Sequence, residues 1–551
     1  RGGGAGAFGA GAVAGTIELF SADADELRPF ASLAYGSRDS IAAAAGGGAQ
    51  LGDGFVTATA GYDRGDGYYL VPEAQRGAVD VPAKYESWSI ALRAVAAVAD
   101  DVELQASTQA FDDNRRRGAV GAESGSRGAD ASVRLIGRGD LPFEALAYFQ
   151  ARRFTSGFLA VAANRATATP SLDQYNTPST GLGGKIELRP AVGDAHTLQI
   201  GADIRAQDGR TRERFRYQVD RFTRLREAGG RSMTAGLYVE DSWTLSDALT
   251  LTGGVRVDRW EISDGFLNEF DAQTGAPTLA QPVADRDGWR PTARAGALFR
   301  PTGAIELRAA AYAGFRLPTL NELYRPFRVG ADATAANPGL ALERLRGAEV
   351  GVDFRPLNTV SFGLTAYWNE LEDAISNVSL GQGPGTFPQV GFVAAGGTFR
   401  ERRNVDAIRV RGIEATASLG YGDWRLRGAY AYADARVRAS GLAAALDGQR
   451  PAQTPRHQAS GTIGWARGAA SADLTARYAG KQAEDDLGVR QLPDAFTVDA
   501  GAEWRLTDAL AVQLRAENLL DEQVVAGISG TGLLDLGTPR TLWIGLRIGG
   551  R

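Results

Sequence analysis

Apolar and polar residues alternate one for one over long stretches of this chain. Val360, Phe362, Leu364, Ala366 and Trp368 share one face, with Ser361, Gly363, Thr365 and Tyr367 on the other. Leu251, Gly253, Val255 and Val257 alternate in the same way with Thr252, Gly254, Arg256 and Asp258. Val512, Leu514 and Ala516 alternate with Gln513, Arg515 and Glu517. A period of two marks an extended strand with one apolar and one polar face. The pattern predicts strands near 28–36, 39–48, 54–63, 88–99, 102–112, 129–138, 143–155, 182–190, 195–208, 232–245, 249–262, 290–300, 304–316, 345–356, 358–372, 405–420, 423–438, 456–467, 470–482, 495–506, 510–520 and 539–548. That is about 22 strands, many near the roughly 10 residues that a tilted membrane strand requires. Gly412 interrupts the alternation between Val410 and Ile413 and predicts a β-bulge there.

From the third strand on, the connections alternate short and long. Asp100-Asp101, 137–140, 191–194, 246–248, 301–303 and 507–509 are short. The connections 64–87, 113–128, 156–181, 209–231, 263–289, 317–344, 373–404, 439–455, 483–494 and 521–538 are long. A soluble sandwich has no reason to lengthen every second connection, and a propeller would show a blade repeat, which is absent. Short turns at one rim and long loops at the other are the pattern of an outer-membrane barrel. The expected fold is all-β, a transmembrane antiparallel up-and-down β-barrel. Its apolar and aromatic face, with Trp368, Trp424, Tyr430 and Tyr432, should meet lipid. Arg256, Asp258, Arg425, Arg427, Arg515 and Glu517 should face a wet interior.

Composition narrows the function. The most apolar stretch, Ser89 to Ala99, carries Arg93, and the mean hydropathy is −0.21. No segment reaches the run of about 18 apolar residues that a membrane helix needs. The absence of cysteine excludes disulfides, thiolate metal sites and a cysteine nucleophile. Two histidines leave little material for imidazole catalysis or a multi-histidine metal centre, so no enzyme is expected. A net charge of −5 over 551 residues announces no nucleic-acid stripe. Glycine, at 71 residues, is about twice its usual share of roughly 7 %.

Several motifs, in order along the chain, resemble those of a TonB-dependent outer-membrane receptor. Gly9-Ala-Gly-Ala-Val-Ala-Gly-Thr-Ile-Glu-Leu19 is similar to the end of that family's plug domain. Phe315-Arg-Leu-Pro-Thr-Leu-Asn-Glu-Leu-Tyr324 and Asn337-Pro-Gly-Leu340 resemble the paired FRAP and NPNL boxes around a large outer loop. Glu517-Asn-Leu-Leu-Asp521 resembles the end of the penultimate strand, and Arg540-Thr-Leu-Trp-Ile-Gly-Leu-Arg-Ile548 the closing strand. The resemblance divides the chain into a plug tail at 1–22 and a barrel at 23–551. Most of the plug and the TonB box would lie outside this sequence, which is read as part of a longer protein. Elementary chemistry gives the motif residues structural roles. Pro318 stops a strand and Asn337-Pro338 initiates a turn. Gly11 and Gly15 permit tight packing or positive φ. Phe315 and Asn518 mark the same architecture.

The resemblance implies a bacterial outer-membrane receptor for active uptake of a scarce, bulky nutrient. A ferric siderophore is the first expectation and cobalamin the alternative, with energy from a TonB-ExbB-ExbD complex. A passive diffusion channel is the competing class. It has no use for the Gly9 to Leu19 stretch, and 16 to 18 strands usually suffice for it. Ligand contacts should come from outer loops, where Tyr68, Tyr69, Tyr175, Arg325, Phe327 and Arg328 combine aromatic surface with cationic donors. The same residue types also suit an aromatic girdle or contacts with membrane lipid and lipopolysaccharide. Haem is disfavoured, because residues 319–336 lack the histidine that haem receptors of this family carry there. His196 and His457 read as structural. Asp63, Asp66 and Asp80, with Asp112 and Asp113, are oxygen donors of the kind calcium takes, though no EF-hand spacing is present. No cofactor is expected.

Overall fold

The computed structural model describes residues 27–549, together with Gly9, Gly11, Gly15 and residues 20–22. One antiparallel sheet dominates it. Its first strands are β1 (Phe30–Gly36), β2 (Ser40–Leu51), β3 (Gly54–Gly65), β4 (Tyr85–Ala99), β5 (Val102–Arg116), β6 (Glu123–Gly137) and β7 (Phe143–Val161). Then come β8 (Ala168–Leu188), β9 (His196–Gln218), β10 (Arg221–Ser246), β11 (Leu249–Asp271), β12 (Arg286–Thr302), β13 (Ile305–Arg316), β14 (Glu343–Leu357) and β15 (Val360–Glu372). The last are β16 (Ala407–Tyr421), β17 (Trp424–Arg438), β18 (His457–Arg467), β19 (Ala470–Ala479), β20 (Ala495–Arg505), β21 (Leu510–Glu517) and β22 (Thr541–Gly549). The sheet counts 23 strands, of which Pro277–Val283 pairs only with the upper part of β11, leaving 22 in the wall. β1 pairs with β22 from Phe30↔Gly549 to Gly36↔Trp543, so the wall closes and no edge is left.

The faces follow the alternation. Val255, Phe362, Leu364 and Leu514 stand exposed on the outer surface. Trp424 and Trp465 pair across β17 and β18 near one rim. Tyr430, Tyr432 and His457 sit near the other, beside the cross-strand pair Tyr478 and Phe496. Two aromatic belts bounding an apolar band are what a barrel in lipid presents. Inside, Arg256 is 3 % exposed and donates to both oxygens of Asp258 and, at 2.5 Å, to Asp203. Arg515 and Glu517 line a lumenal recess beside Trp543.

Part of the glycine excess has a cause that composition alone does not reveal. On the inner wall an aromatic ring repeatedly lies over a glycine directly opposite it on the next strand. Tyr148 covers Gly183, Tyr238 covers Gly201, Tyr312 covers Gly347 and Tyr367 covers Gly412. A Cβ at any of these four glycines would stand 2.3 Å from a ring atom of its partner. The ring occupies the space that the missing side chain leaves, as aromatic rescue of a strand glycine requires.

Two expectations are corrected. There is no bulge at Gly412, which keeps register with Tyr367 on one side and Ala433 on the other. The break in alternation makes room for the Tyr367 ring instead. The connections expected at 113–128, 156–181, 209–231 and 263–289 are largely strand. β7 to β11 run 19 to 26 residues each and rise well beyond the apolar band. Between β9 and β10 only Val219 and Asp220 remain, both at positive φ. The sequence of these extensions, such as Arg212-Glu-Arg-Phe-Arg216, reads as loop because the buried face itself carries polar residues, Thr211 and Glu213 beside Phe215. The connections expected to be short, from Asp100-Asp101 to 507–509, all fall at the opposite rim.

Most of the segment read as a plug tail lies outside the described residues. Gly11 and Gly15 are described and take φ of +99° and +143°. Gly11 N–H donates to Phe315 O at 2.9 Å, and buried Gly9 packs so closely on Arg256 that a Cβ there would lie 2.7 Å from the guanidinium.

Candidate ligand-binding site

The rim of long strands and loops builds a structured vestibule over the lumen. After β13, Pro318 has no amide hydrogen to continue the ladder, and the chain turns into a one-turn helix, α1 (Leu320–Tyr324). A capping box starts it: Thr319 Oγ1 accepts from Glu322 N–H, and Glu322 returns a bond to Thr319 N–H. Arg316 clamps Glu322 and Glu343 from below. Phe315, Leu323, Tyr324 and Leu340 are almost fully buried, the last three against Ala228, Ile262 and Leu267 of β10 and β11. Asn337 accepts from Gly339 N–H and donates to Arg402 O, which makes it the hinge of its turn.

This loop does not stand alone. The short strands Phe327–Val329 and Asp332–Ala335 form a hairpin, and the second pairs in parallel with Thr398–Asn404. Thr398–Asn404 also pairs with Ile375–Gln382. The two largest outer loops, 317–342 and 373–406, therefore share one four-stranded sheet. Arg402 is enclosed at their junction, donating to Asn321 O and Arg325 O with its guanidinium over the Phe327 ring. Burial pulls its pKa down to about 10.

Beside this sheet opens a cavity of about 950 Å³. It is lined from many loops at once: Val71 and Asp80, Arg117, Phe158 and Arg165, Phe215 and Arg216, Phe327 and Arg328, Phe392, and Ile528 and Asp535. Five arginines face three carboxylates there. Two of the arginines are neutralised. Arg165 forks onto Asp80, and Arg226 bonds Glu269 and Glu213. Arg117, Arg216 and Arg328 have no carboxylate partner among the described residues. Arg117 donates to Gly157 O and lies over Phe158, and Arg328 donates to Val390 O and Phe392 O. Burial lowers the pKa of Arg117, and burial with the nearby charges of Arg226 and Arg216 lowers that of Arg328. Each stays a cation at neutral pH, held at a cost that an anionic ligand would relieve. Across the cavity, burial and Glu484 raise the Asp535 carboxyl.

The structure divides the residues singled out from sequence. Phe327 and Arg328 line the cavity. Arg325 sits just behind, bonded to Glu213 and Gln174. Tyr68 and Tyr69 belong to the same loop as Val71 but lie outside the lining, Tyr69 under the Arg76 guanidinium. Tyr175 lies under Arg214. The three aspartates are not brought together. Asp63 faces the lumen, Asp66 pairs with Lys84 at 3.1 Å, and Asp80 is taken by Arg165. Asp113 pairs with Arg115, and Asp112 accepts from Asn114. Among the described residues no three acids or histidines gather as a metal cage. His196 bonds Asp241 at 2.7 Å and stacks on Trp243 at the short-turn rim, and His457 bonds Tyr430 on the outer surface. Arg117 and Arg216 were missed because they sit in basic runs, Arg115-Arg-Arg117 and Arg212 to Arg216, that resemble solvated loop.

Asn518 anchors the last outer loop. At φ +48° it donates to Glu522 O and Thr538 O and accepts from Glu522 N–H. That clasp closes the segment that carries Ile528 and Asp535 to the cavity.

Residues 25–519 match the family described as TonB dependent receptor-like, beta-barrel. A vitamin B12 transporter, BtuB, of Vibrio vulnificus strain YJ016 is 26 % identical over 320 residues, 54 % of this chain and 47 % of the relative. An iron-regulated outer membrane virulence protein of Vibrio cholerae O395 is 24 % identical over 56 % of this chain and 44 % of its own length. The chain thus spans about half the length of these curated relatives. Among solved structures, the copper transporter OprC matches with a TM-score of 0.78 at 18 % identity, over 100 % of this chain and 85 % of that one. The ferric-catecholate import receptor Fiu of E. coli K12 matches at 0.77 and 15 % identity, with the same coverage. At these identities the two structures are alike in fold alone.

Proposed function

The chain belongs to the TonB-dependent receptor-like β-barrel family, a bacterial outer-membrane barrel, and from that premise we propose that it captures a ferric siderophore for TonB-coupled uptake. The observation that carries this reading is the outer cavity in which Arg117, Arg216 and Arg328 have no carboxylate partner among the described residues and Phe158, Phe215, Phe327 and Phe392 supply flat apolar walls. A ferric chelate with catecholate or carboxylate oxygens offers what these groups lack: delocalised negative charge for guanidinium forks and a rigid surface for aromatic faces. Burial of the arginines strengthens the attraction once the ligand excludes water. The volume of about 950 Å³ admits a bulky ligand.

Release of a tightly held ligand into the lumen requires work. TonB with ExbB and ExbD would deliver it through the plug, whose tail we place at residues 1–22, against the barrel residues 23–551. The chain's own part is recognition. It performs no bond-breaking chemistry, and no cofactor enters.

Cobalamin is the second reading, favoured by the 26 % identity to a vitamin B12 transporter. The two separate in equilibrium binding by the purified protein in detergent. A ferric catecholate or ferric carboxylate chelate should quench tryptophan fluorescence at micromolar concentration or below, and more weakly as salt rises. Saturable binding of cyanocobalamin with no response to any ferric chelate would overturn the siderophore reading. Uptake by cells that persists after a protonophore would reject energy coupling in favour of a passive channel.

A further inference from the structure

The outer surface of the wall carries a second cationic cluster, remote from the lumen. On β17 the outward positions run Tyr430, Tyr432, Asp434 and Arg436, with Ala435 and Val437 buried inward. Asp434 is shared by three arginines: Arg450 at 2.9 Å, Arg456 at 3.3 Å and Arg436 at 3.4 Å. A fourth, Arg411, lies directly opposite Asp434 in the β16–β17 register, is exposed, and has no acid within ion-pair distance among the described residues. Elsewhere on the same outer surface Arg64 pairs with Asp39 alone and Arg259 with Asp287 alone. Burial together with the Arg456 and Arg436 charges depresses the Arg450 pKa.

The height of the cluster matters. Asp434 lies two residues beyond Tyr432 of the upper aromatic belt, roughly 6–7 Å along a strand. That is where lipid headgroups begin when a belt marks the interface. Four guanidinium groups around one carboxylate leave an excess of three positive charges facing the outer leaflet. We propose that Arg411, Arg436, Arg450 and Arg456 form a binding site for the phosphate groups of a phosphorylated outer-leaflet glycolipid, lipopolysaccharide. Its acyl chains would run down the face bearing Tyr430 and Tyr432. Guanidinium forks match phosphate oxygens, and the aromatic belt beneath gives the sugar and acyl boundary an amphipathic surface.

The experiment uses the whole chain purified in detergent, with phosphorylated lipid A, the same lipid enzymatically dephosphorylated, and inorganic phosphate as probes. Native mass spectrometry counts bound lipid. Arg411→Glu/Arg456→Glu is the test variant, because Arg450 and Arg436 also bond backbone carbonyls, of Ala433 and Gly448. Heat-modifiable electrophoretic mobility confirms that its barrel is folded, and Arg411→Lys/Arg456→Lys retains charge should the first fail to fold. Wild type should hold phosphorylated lipid A over the dephosphorylated form. Neutralising two basic residues at a factor of about five each should weaken binding by roughly 25-fold, and more for charge reversal. The lysine variant should keep most of the binding. Equal retention of both lipid forms, or no loss in the folded glutamate variant, would overturn the proposal. Displacement of the lipid by millimolar inorganic phosphate would overturn it too, in favour of a free-anion site.

Discussion

Arg325 donates a 2.6 Å hydrogen bond from Nε to Glu213 across 112 positions of sequence, and the Glu213 side chain is fully buried. The pair ties the loop after α1 to the tall β9 strand. Arg226 meets the same carboxylate at 3.5 Å. Arg325 therefore shapes the cavity rather than facing it, although its sequence context suggests a ligand contact. Glu213→Ala should leave two guanidinium groups short of a partner and destabilise the vestibule by about 3–5 kcal/mol. Hydrogen exchange over 325–335 should accelerate while the wall strands stay protected. Unchanged exchange would mean that packing of Leu323 and Tyr324 alone seats the loop.

Arg216 is exposed at the cavity, with its guanidinium over the neighbouring Phe215 ring. Arg216→Ala should weaken an anionic ligand by about 1.5–3 kcal/mol, the worth of one charged hydrogen bond. The loss should shrink as ionic strength rises, since a rim charge is screened. Titrations at low and high salt check both parts. A neutral ligand would show no salt dependence.

Gly412→Ala tests the ring-over-glycine rule. The added Cβ would stand 2.3 Å from Tyr367 and 2.5 Å from Tyr432 O. Overpacking of this kind costs about 1–3 kcal/mol. Adding Tyr367→Ala should recover only part of the loss, because the backbone clash remains. Urea-driven folding into lipid vesicles measures it, and full recovery would show that the ring is the sole obstacle.

The sequence pattern carried the wall well because lipid and water act on alternate residues. Leu364 must meet one and Thr365 the other, and a slip of one residue exchanges every pair. Above the membrane this contrast disappears. Arg212, Arg214 and Arg216 extend β9 on its outer face, and the buried face opposite carries Thr211 and Glu213 beside Phe215, so apolar periodicity gave no signal for strand. The Gly412 break looked like a bulge because the cause sits on another strand, at Tyr367. Phe327 and Arg328 were legible from composition. Arg117 was not, because its role depends on Phe158 and the Gly157 carbonyl, 40 positions away. Local chemistry is written in the chain, whereas convergence of loops is fixed only by closure of the wall.

The clasp at Asn518 should be strict. Asn518→Ala removes three hydrogen bonds and leaves a non-glycine residue at φ +48°. Asn518→Gly would relieve the backbone but not restore the bonds. Both should free the 521–540 loop at a cost of about 1–3 kcal/mol, seen as protease cleavage in that loop with the barrel intact. Resistance in both would place the anchor elsewhere, for example in the Asp521 carboxylate that accepts from Arg540 N–H.

Asp80 and Arg165 predict how the cavity responds to acid. Arg165 donates to both carboxylate oxygens, and Gly77 N–H adds a third bond. The carboxylate side chain is 2 % exposed. Burial alone would raise the Asp80 pKa, but the Arg165 and Gly77 bonds outweigh it and hold the group below the usual carboxylate value. A carboxyl depressed in the folded state contributes its stability above its unfolded pKa, near 4, and loses it as pH falls through the folded value. The contacts among the loops at 66–84, 117–122 and 162–167 should therefore be constant from pH 7 to about 5 and loosen below about 4. Asp80→Asn should be loosened at every pH and show no step from the pair in that range, since the pair then holds no titrating carboxyl. Hydrogen exchange at Val79, whose N–H donates to Arg165 O at 3.1 Å, reads the state of the pair directly. A step near pH 6 instead would point to a group other than Asp80, such as the raised Asp535 carboxyl across the cavity, since neither histidine lies there.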